Sequence, residues 1–287
     1  MKKTLSILVL TCLSILSINA QELEKSTLWK IEGNDLEKAS YLFGTIHITC
    51  DATLEADVKK ALDETTQVVL EIDMDDPEMQ TKMMAGMYMK DGKKISDLVS
   101  EEDYKIIDNL ITKEVGMPLK MVESIKPFFL IAMMYPKMID CPMQSFEQEL
   151  IKVATEQKEE INGLETIEDQ MKVFEDIPYK DQVADLLKTA KNNLVEDKET
   201  FAKMLEVYKK EDIVAMVEMM DDDKDSSIAK HQDIMLTNRN KKWISKIGDY
   251  AKKEPTFFGV GAGHLAGKEG VINLLRETGY KVTPVLE

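Results

Sequence analysis

Residues 41–50 read YLFGTIHITC, a short apolar run that stops at Gly44 and delivers a histidine, His47, three residues later. Residues 256–264 read TFFGVGAGH and repeat the device: an aromatic, apolar run breaks into glycines and closes a second Gly-x-x-His unit, Gly261 to His264. Two of the chain's three histidines sit in these copies. Each copy has the pattern of a strand that ends in a turn.

Working outward, 27–31 and 40–46 suit two strands joined by a polar stretch with Gly33, Asn34 and Asp35, a hairpin pattern. Residues 54–65 have helical spacing, with Leu54, Val58, Ala61 and Leu62 on one face, and lead into QVVLEID at 67–73. That run is almost continuously apolar, as strands buried on both faces are. Residues 76–90 form a helix dense in methionine (Met79, Met83, Met84, Met87, Met89), read as an irregular core helix in preference to a lid or peptide-gripping surface. Helical spacing returns at 101–114, 126–138 and 145–157, punctuated by Pro118, Pro127, Pro136 and Pro142. A short strand at 160–164 is followed by a helix at 166–174 and an acidic helical region of two or three helices at 181–220. The acidic run DDDKD at 221–225 lacks the glycine and later glutamate of an EF-hand loop and is read as solvated. A helix at 227–250, a strand at 256–260, a helix at 269–278 and a strand at 281–285 complete the chain. Strands alternate with helices at both ends around a helical middle. The expected fold class is α/β: a mixed central sheet flanked by helices, with a large helical insertion, in a single domain over residues 21–287.

The first twenty residues stand apart. Lys2 and Lys3 precede an apolar run from 5 to 16, and Ser17, Ile18, Asn19 and Ala20 follow, the form of a signal peptide cleaved near Ala20. An exported chain, periplasmic or extracellular, is expected. No later segment approaches the roughly 20 apolar residues of a membrane span. The formal net charge of −16 becomes about −18 without the two leader lysines, which argues against nucleic acid and anionic membranes as partners. Cleavage also removes Cys12, so Cys50 and Cys141 are expected to pair as a disulfide in an oxidising compartment.

Three apolar runs end at, or contain, residues that are expensive to bury: His47, Glu71 and His264. In open α/β sheets such residues gather outside the carboxyl ends of the strands. An ionised Glu71 flanked by Val68, Val69, Leu70 and Ile72 requires a cation such as Arg239, a metal held with the histidines, or water. Two histidines and a carboxylate match the ligand set of a catalytic metal with an open position. Taken singly, each residue has a plainer role: either histidine as a hydrogen-bonded core residue, Glu165 as a helix cap, Arg239 as one more charge beside Lys241 and Lys242, and His231 as a surface or helix-packing residue. The HExxH helix of zinc proteases and the GxSxG elbow of α/β-hydrolases are both absent.

Five segments in this order, GTIH at 44–47, LEID around Glu71, GLET at 163–166, TNRN at 237–240 and GAGH at 261–264, make the chain resemble the TraB/GumN family, to which the Tiki metalloproteases belong. The resemblance runs over essentially the whole chain after the leader. It implies an α/β fold and, by analogy with Tiki, a metal-dependent peptidase acting on a peptide or protein. His47, Glu71 and His264 would be the catalytic and metal-binding set, supported by manganese or cobalt, with zinc also compatible. Arg239 would lie nearby to stabilise an oxyanion or pair with a carboxylate, and Glu165 would accept a proton where Glu71 serves as a ligand. The chain departs from Tiki in lacking its membrane anchor, and ITC follows the first histidine where many relatives carry a longer loop. Two other functions fit the same residues: a non-catalytic protein that binds or sequesters peptides, and a metal-dependent esterase.

Overall fold

The computed structural model describes residues 23–286, so the leader and its cleavage point lie outside the described residues. Leu28–Gly33 (β1) and Ser40–Thr45 (β2) form the expected antiparallel hairpin. Asn34 and Asp35 take left-handed conformations at its turn (φ 47° and 64°), which short polar side chains tolerate better than most. Gln67–Ile72 (β3), Glu160–Glu165 (β4), Thr256–Gly261 (β5) and Tyr280–Pro284 (β6) complete a six-stranded sheet in the order β4-β3-β5-β2-β1-β6. β4, β3, β5 and β2 run parallel, while β1 is antiparallel to both β2 and β6. This is a mixed sheet in an α/β fold. Its topology puts the carboxyl ends of β2, β3, β4 and β5 on one edge.

Both deciding runs lie in the middle of this sheet. Tyr41 pairs with Phe257 and Thr45 with Gly261, so the two Gly-x-x-His units leave neighbouring strands in register. β2 and β3 are buried along their full length, as the continuous apolar runs require. Close approach explains two glycines. A methyl group at Gly44 would lie 2.6 Å from Leu265 Cδ1, and one at Gly163 would lie 2.5 Å from the backbone nitrogen of Asp73.

The helices are Ala56–Asp63 (α1), Met79–Gly86 (α2), Glu101–Glu114 (α3), Leu119–Val122 (α4), Pro127–Ala132 (α5), Phe146–Gln157 (α6), Ile167–Asp176 (α7), Tyr179–Asn192 (α8), Val195–Tyr208 (α9), Ile213–Asp222 (α10), Ser227–Lys230 (α11), Asn238–Lys253 (α12) and Val271–Glu277 (α13). One core surrounds the sheet, with Trp29, Leu42, Phe257, Phe258 and Trp243 almost wholly buried. A second lies within the helical insertion around Ile107, Ile111, Leu130 and Leu186. A small third cluster joins Ile72, the last residue of β3, to Ile167 and Met171 of α7.

Several elements differ from their sequence expectation. The methionine-dense helix is only α2, and none of its residues is buried. Met84 is 56% exposed, while Met79 and Met83 pack loosely on the small third cluster, so this is no core helix. The helix expected at 126–138 stops at Ala132, and a separate 3-10 turn carries Pro136, whose ring and missing N–H disfavour an unbroken helix. The helix expected at 227–250 is α11, a π-helical segment Asp233–Thr237 and α12. Thr166, and not Glu165, caps α7, through a reciprocal box with Asp169. Among the described residues no helix is long and apolar enough to cross a membrane.

Candidate functional site

The carboxyl edge of the parallel strands gathers all five residues singled out from the sequence. Glu71 is the penultimate residue of β3, Glu165 ends β4, His47 lies two residues beyond β2, and His264 closes the 3-10 turn Ala262–His264 directly after β5. The fifth, Arg239, enters from the first turn of α12. The π-helical segment before it places the carbonyl of Met235 to accept from Arg239 Nη1 at 3.0 Å. Such departures from regular helix recur at functional sites.

Arg239 is the cation that a buried Glu71 demands. It is 8% exposed and not a surface charge. Its Nη2 donates to Glu71 Oε2 at 2.6 Å and also to Glu165 Oε1, while Nε donates to both oxygens of Glu165 at 3.0 and 3.2 Å. Glu71 Oε1 accepts from the Gly261 N–H at 2.8 Å, and Gln170 Nε2 donates to Oε2 at 3.2 Å. Burial works against the charged form of Glu71, but the surrounding positive charge and the Gly261 N–H hold its pKa well below the carboxylate range. Burial dominates for Glu165 and raises its pKa in spite of Arg239. The two carboxyl groups on one guanidinium are thus pushed in opposite directions.

The histidines are each tied back through Nδ1. Asn240 Nδ2 donates to the carbonyls of Glu269 and His264 at 2.8 and 3.4 Å, which leaves Asn240 Oδ1 to accept from His264 Nδ1 at 2.6 Å. Nε2 of His264 is therefore the lone-pair nitrogen. It faces Arg239 Nη1 at 3.1 Å and Glu71 Oε1 at 3.8 Å. Burial lowers the His264 pKa to about 3 against the pull of Glu71, and the charges of Arg239 and His47 add to the lowering. The imidazole is neutral, and the Trp243 ring lies against it at 4.5 Å. His47 Nδ1 meets Glu147 Oε1 at 2.8 Å, which directs Nε2 toward the same centre. The position a Cβ would take on Gly261 lies 3.2 Å from Glu71 Oε1, 3.7 Å from His264 Cδ2 and 3.9 Å from His47 Nε2. His47 has 67% of its side-chain surface facing solvent. Burial opposes its charge, but the hydrogen bond and charge of Glu147, with Glu71 behind, raise its pKa to about 9.

Three further residues complete the site. Glu147 and Gln170 carry no sequence signal beyond lying on helices. Asn240 lies within TNRN, next to Arg239, and that adjacency was the available clue. The loop bearing His47 is fastened to the segment just before α6 by the Cys50–Cys141 disulfide, with Cα atoms 5.6 Å apart, and by the pairing of Thr49 with Gln144. Gln144 Oε1 also accepts from the Ala52 N–H at 3.0 Å. His231 lies outside the site, bonded to Asp181 at 2.9 Å as a helix-packing residue.

The donor types are those that bind a divalent cation, two imidazoles with Nδ1 engaged and one ionised carboxylate, but Arg239 already donates to His264 Nε2 at 3.1 Å and to Glu71 Oε2 at 2.6 Å. Among the described residues no three His, Cys, Asp or Glu side chains stand together in an arrangement that could hold a metal ion. Arg239 occupies the flank of His264 and Glu71, and its hold on Glu165 gives it a second anchor.

A family model described as the TraB/PrgY/gumN family matches residues 27–284. No curated protein and no solved structure matches the chain. The match spans both Gly-x-x-His units and every site residue between them, and the chain belongs to the TraB/PrgY/gumN family.

Proposed function

We propose that the chain is an exported metal-dependent hydrolase, with peptides as its first substrate class, whose cation is held by His47, Glu71 and His264. One observation carries the proposal. Two Gly-x-x-His units from opposite ends of the chain turn Nε2 toward one ionised carboxylate, each with Nδ1 engaged behind it. Proteins orient ligand imidazoles in this way. Export is supported by the leader pattern at 1–20 and by the disulfide.

When bound, a manganese, cobalt or zinc ion supplies carbonyl polarisation and a water of lowered pKa. Glu71 stays ionised under the charge of Arg239. Glu165, with its raised pKa, is the carboxyl group suited to take up and return a proton. Arg239, whose N–H groups are all engaged by Glu71, Glu165, His264 and the Met235 carbonyl, contributes its positive charge beside any charge that develops on oxygen. Trp243 packs under Arg239 at 4.9 Å, and its Nε1 donates to Glu165 at 3.3 Å, which fixes both.

The test is metal analysis of protein purified without chelator, beside His47→Ala and His264→Ala, with a peptide library followed by mass spectrometry. One cation per chain and cut peptides are expected for the parent, and both are lost in folded variants. A fully active His264→Ala overturns the proposal. The exposed Met84 on α2 favours a second function, peptide sequestration, and stoichiometric peptide binding without cleavage would establish it. Cleavage of esters alone would identify an esterase.

A further inference from the structure

Glu147 is buried, with 7% exposure, although it lies only two residues into the α6 segment that begins after Ser145. Its two oxygens are fully engaged. Oε1 accepts from Thr45 Oγ1 at 2.6 Å and faces His47 Nδ1 at 2.8 Å, and Oε2 accepts from Ser145 Oγ at 2.5 Å. A buried carboxylate with neighbouring hydroxyls is expensive to desolvate, so its position calls for a reason. Packing of α6 supplies none, because Phe146, Leu150 and Ala154 bury the apolar face of that helix without it.

The contacts also fix direction. Thr45 and Ser145 each donate a proton, so Glu147 behaves as a pure acceptor and the remaining interaction at Oε1 must be an N–H from His47. Once the ring is neutral, an acceptor at Nδ1 selects the Nδ1–H tautomer and leaves the lone pair on Nε2. That is the nitrogen 3.9 Å from the Cβ position of Gly261, on the side of Glu71. The disulfide and the Thr49 to Gln144 pairing hold the two segments in register, so the Glu147 to His47 contact is built into the scaffold and does not depend on one flexible side chain.

We propose that Glu147 is the positioning residue of the site: it holds His47 as the Nδ1–H tautomer with Nε2 available to a divalent cation. The proposal rests on the metal-site assignment above for its consequence, but not for the tautomer itself. Asn240 serves His264 in the same manner through a neutral amide, so the two histidines differ in the charge of the group behind them. His47 is the more exposed of the two.

The experiment uses the disulfide-intact protein and two variants, Glu147→Ala and Glu147→Gln. The amide of Glu147→Gln can still accept from His47 Nδ1 and Thr45 through its oxygen while its nitrogen donates to Ser145. Nitrogen-15 imidazole spectra of the metal-free protein are recorded above pH 10, where His47 is neutral, and manganese and zinc affinities are measured by calorimetry at pH 7.5. In the parent and Glu147→Gln, His47 shows the Nδ1–H pattern; in Glu147→Ala it shifts to the Nε2–H form that a free side chain favours. Metal affinity falls about 10- to 100-fold in Glu147→Ala and less in Glu147→Gln. An Nδ1–H tautomer that survives in folded Glu147→Ala overturns the proposal, as does an Nε2–H tautomer in the parent. Should the parent bind neither metal, the metal-site assignment fails while the tautomer result still decides the role of Glu147.

Discussion

Arg239 is the residue on which the charge balance of the site turns. It faces Glu71, Glu165 and the lone pair of His264 at once, with 10% of its side chain exposed. Replacing it by methionine keeps the packing over Trp243 but leaves two buried carboxyl groups without a counter-charge. The expected loss is about 3–5 kcal/mol near neutral pH, as for other broken buried pairs. The sign with pH follows from Glu71. Its folded pKa is depressed, so its contribution to stability is present above the unfolded value and is lost as the pH falls through the lowered folded value. The difference between parent and Arg239→Met should therefore be widest above about pH 5 and shrink in acid, where both carboxyl groups of the variant become protonated. Urea titrations at pH 7 and pH 4 measure this, and an equal difference at both would show that Arg239 acts by packing alone.

At the level of elements, the carboxyl edge was legible because strand patterns are local. The apolar runs at 41–46, 67–72 and 256–260 announced β2, β3 and β5, and each placed its polar residue beyond or at the end of its run. The pairing of β2 with β5 followed from no local pattern, although the repeated Gly-x-x-His unit hinted at it. Glu147 was illegible because nothing in SFEQEL marks which glutamate turns inward; that depends on where Thr45 and His47 arrive from 100 residues away. The break before α12 was missed because a π-helical segment preserves helical spacing while shifting the face that follows. Gly163 belongs to this scale too. A methyl group there would meet Asp73 N at 2.5 Å and Ile72 C at 2.8 Å, both backbone atoms that cannot swing aside. Gly163→Ala should push β4 from β3, costing about 1–3 kcal/mol by overpacking, and draw Glu165 away from Arg239. Thermal unfolding reads the first effect. Weakened metal uptake reads the second, and unchanged stability would mean that the strand pair yields easily at this point.

Over the whole molecule, the site closes a sheet whose four parallel strands come from residues 40–45, 67–72, 160–165 and 256–261. A cation shared by His47, Glu71 and His264 would tie three of those strand ends together, so its binding energy becomes folding energy. At a free cation concentration 100 times the dissociation constant, the gain is about 2.7 kcal/mol. Its pH dependence is set by His47. Glu71 is already ionised and His264 already neutral at pH 6, whereas His47 keeps its proton up to about pH 9. Cation uptake between pH 6 and 9 must then release one proton, and apparent affinity should rise about tenfold per pH unit over that window. The metal-free protein behaves in the opposite sense. The folded pKa of His47 is raised, so the stability from its pairing with Glu147 is fully present below about 6.5 and is lost as the pH rises through about 9. Thermal shifts with and without manganese at pH 6, 7 and 8 separate the two trends: the metal-induced shift should grow at each step. A shift that stays flat across the series would show that no ligand gives up a proton and that His47 is not among them.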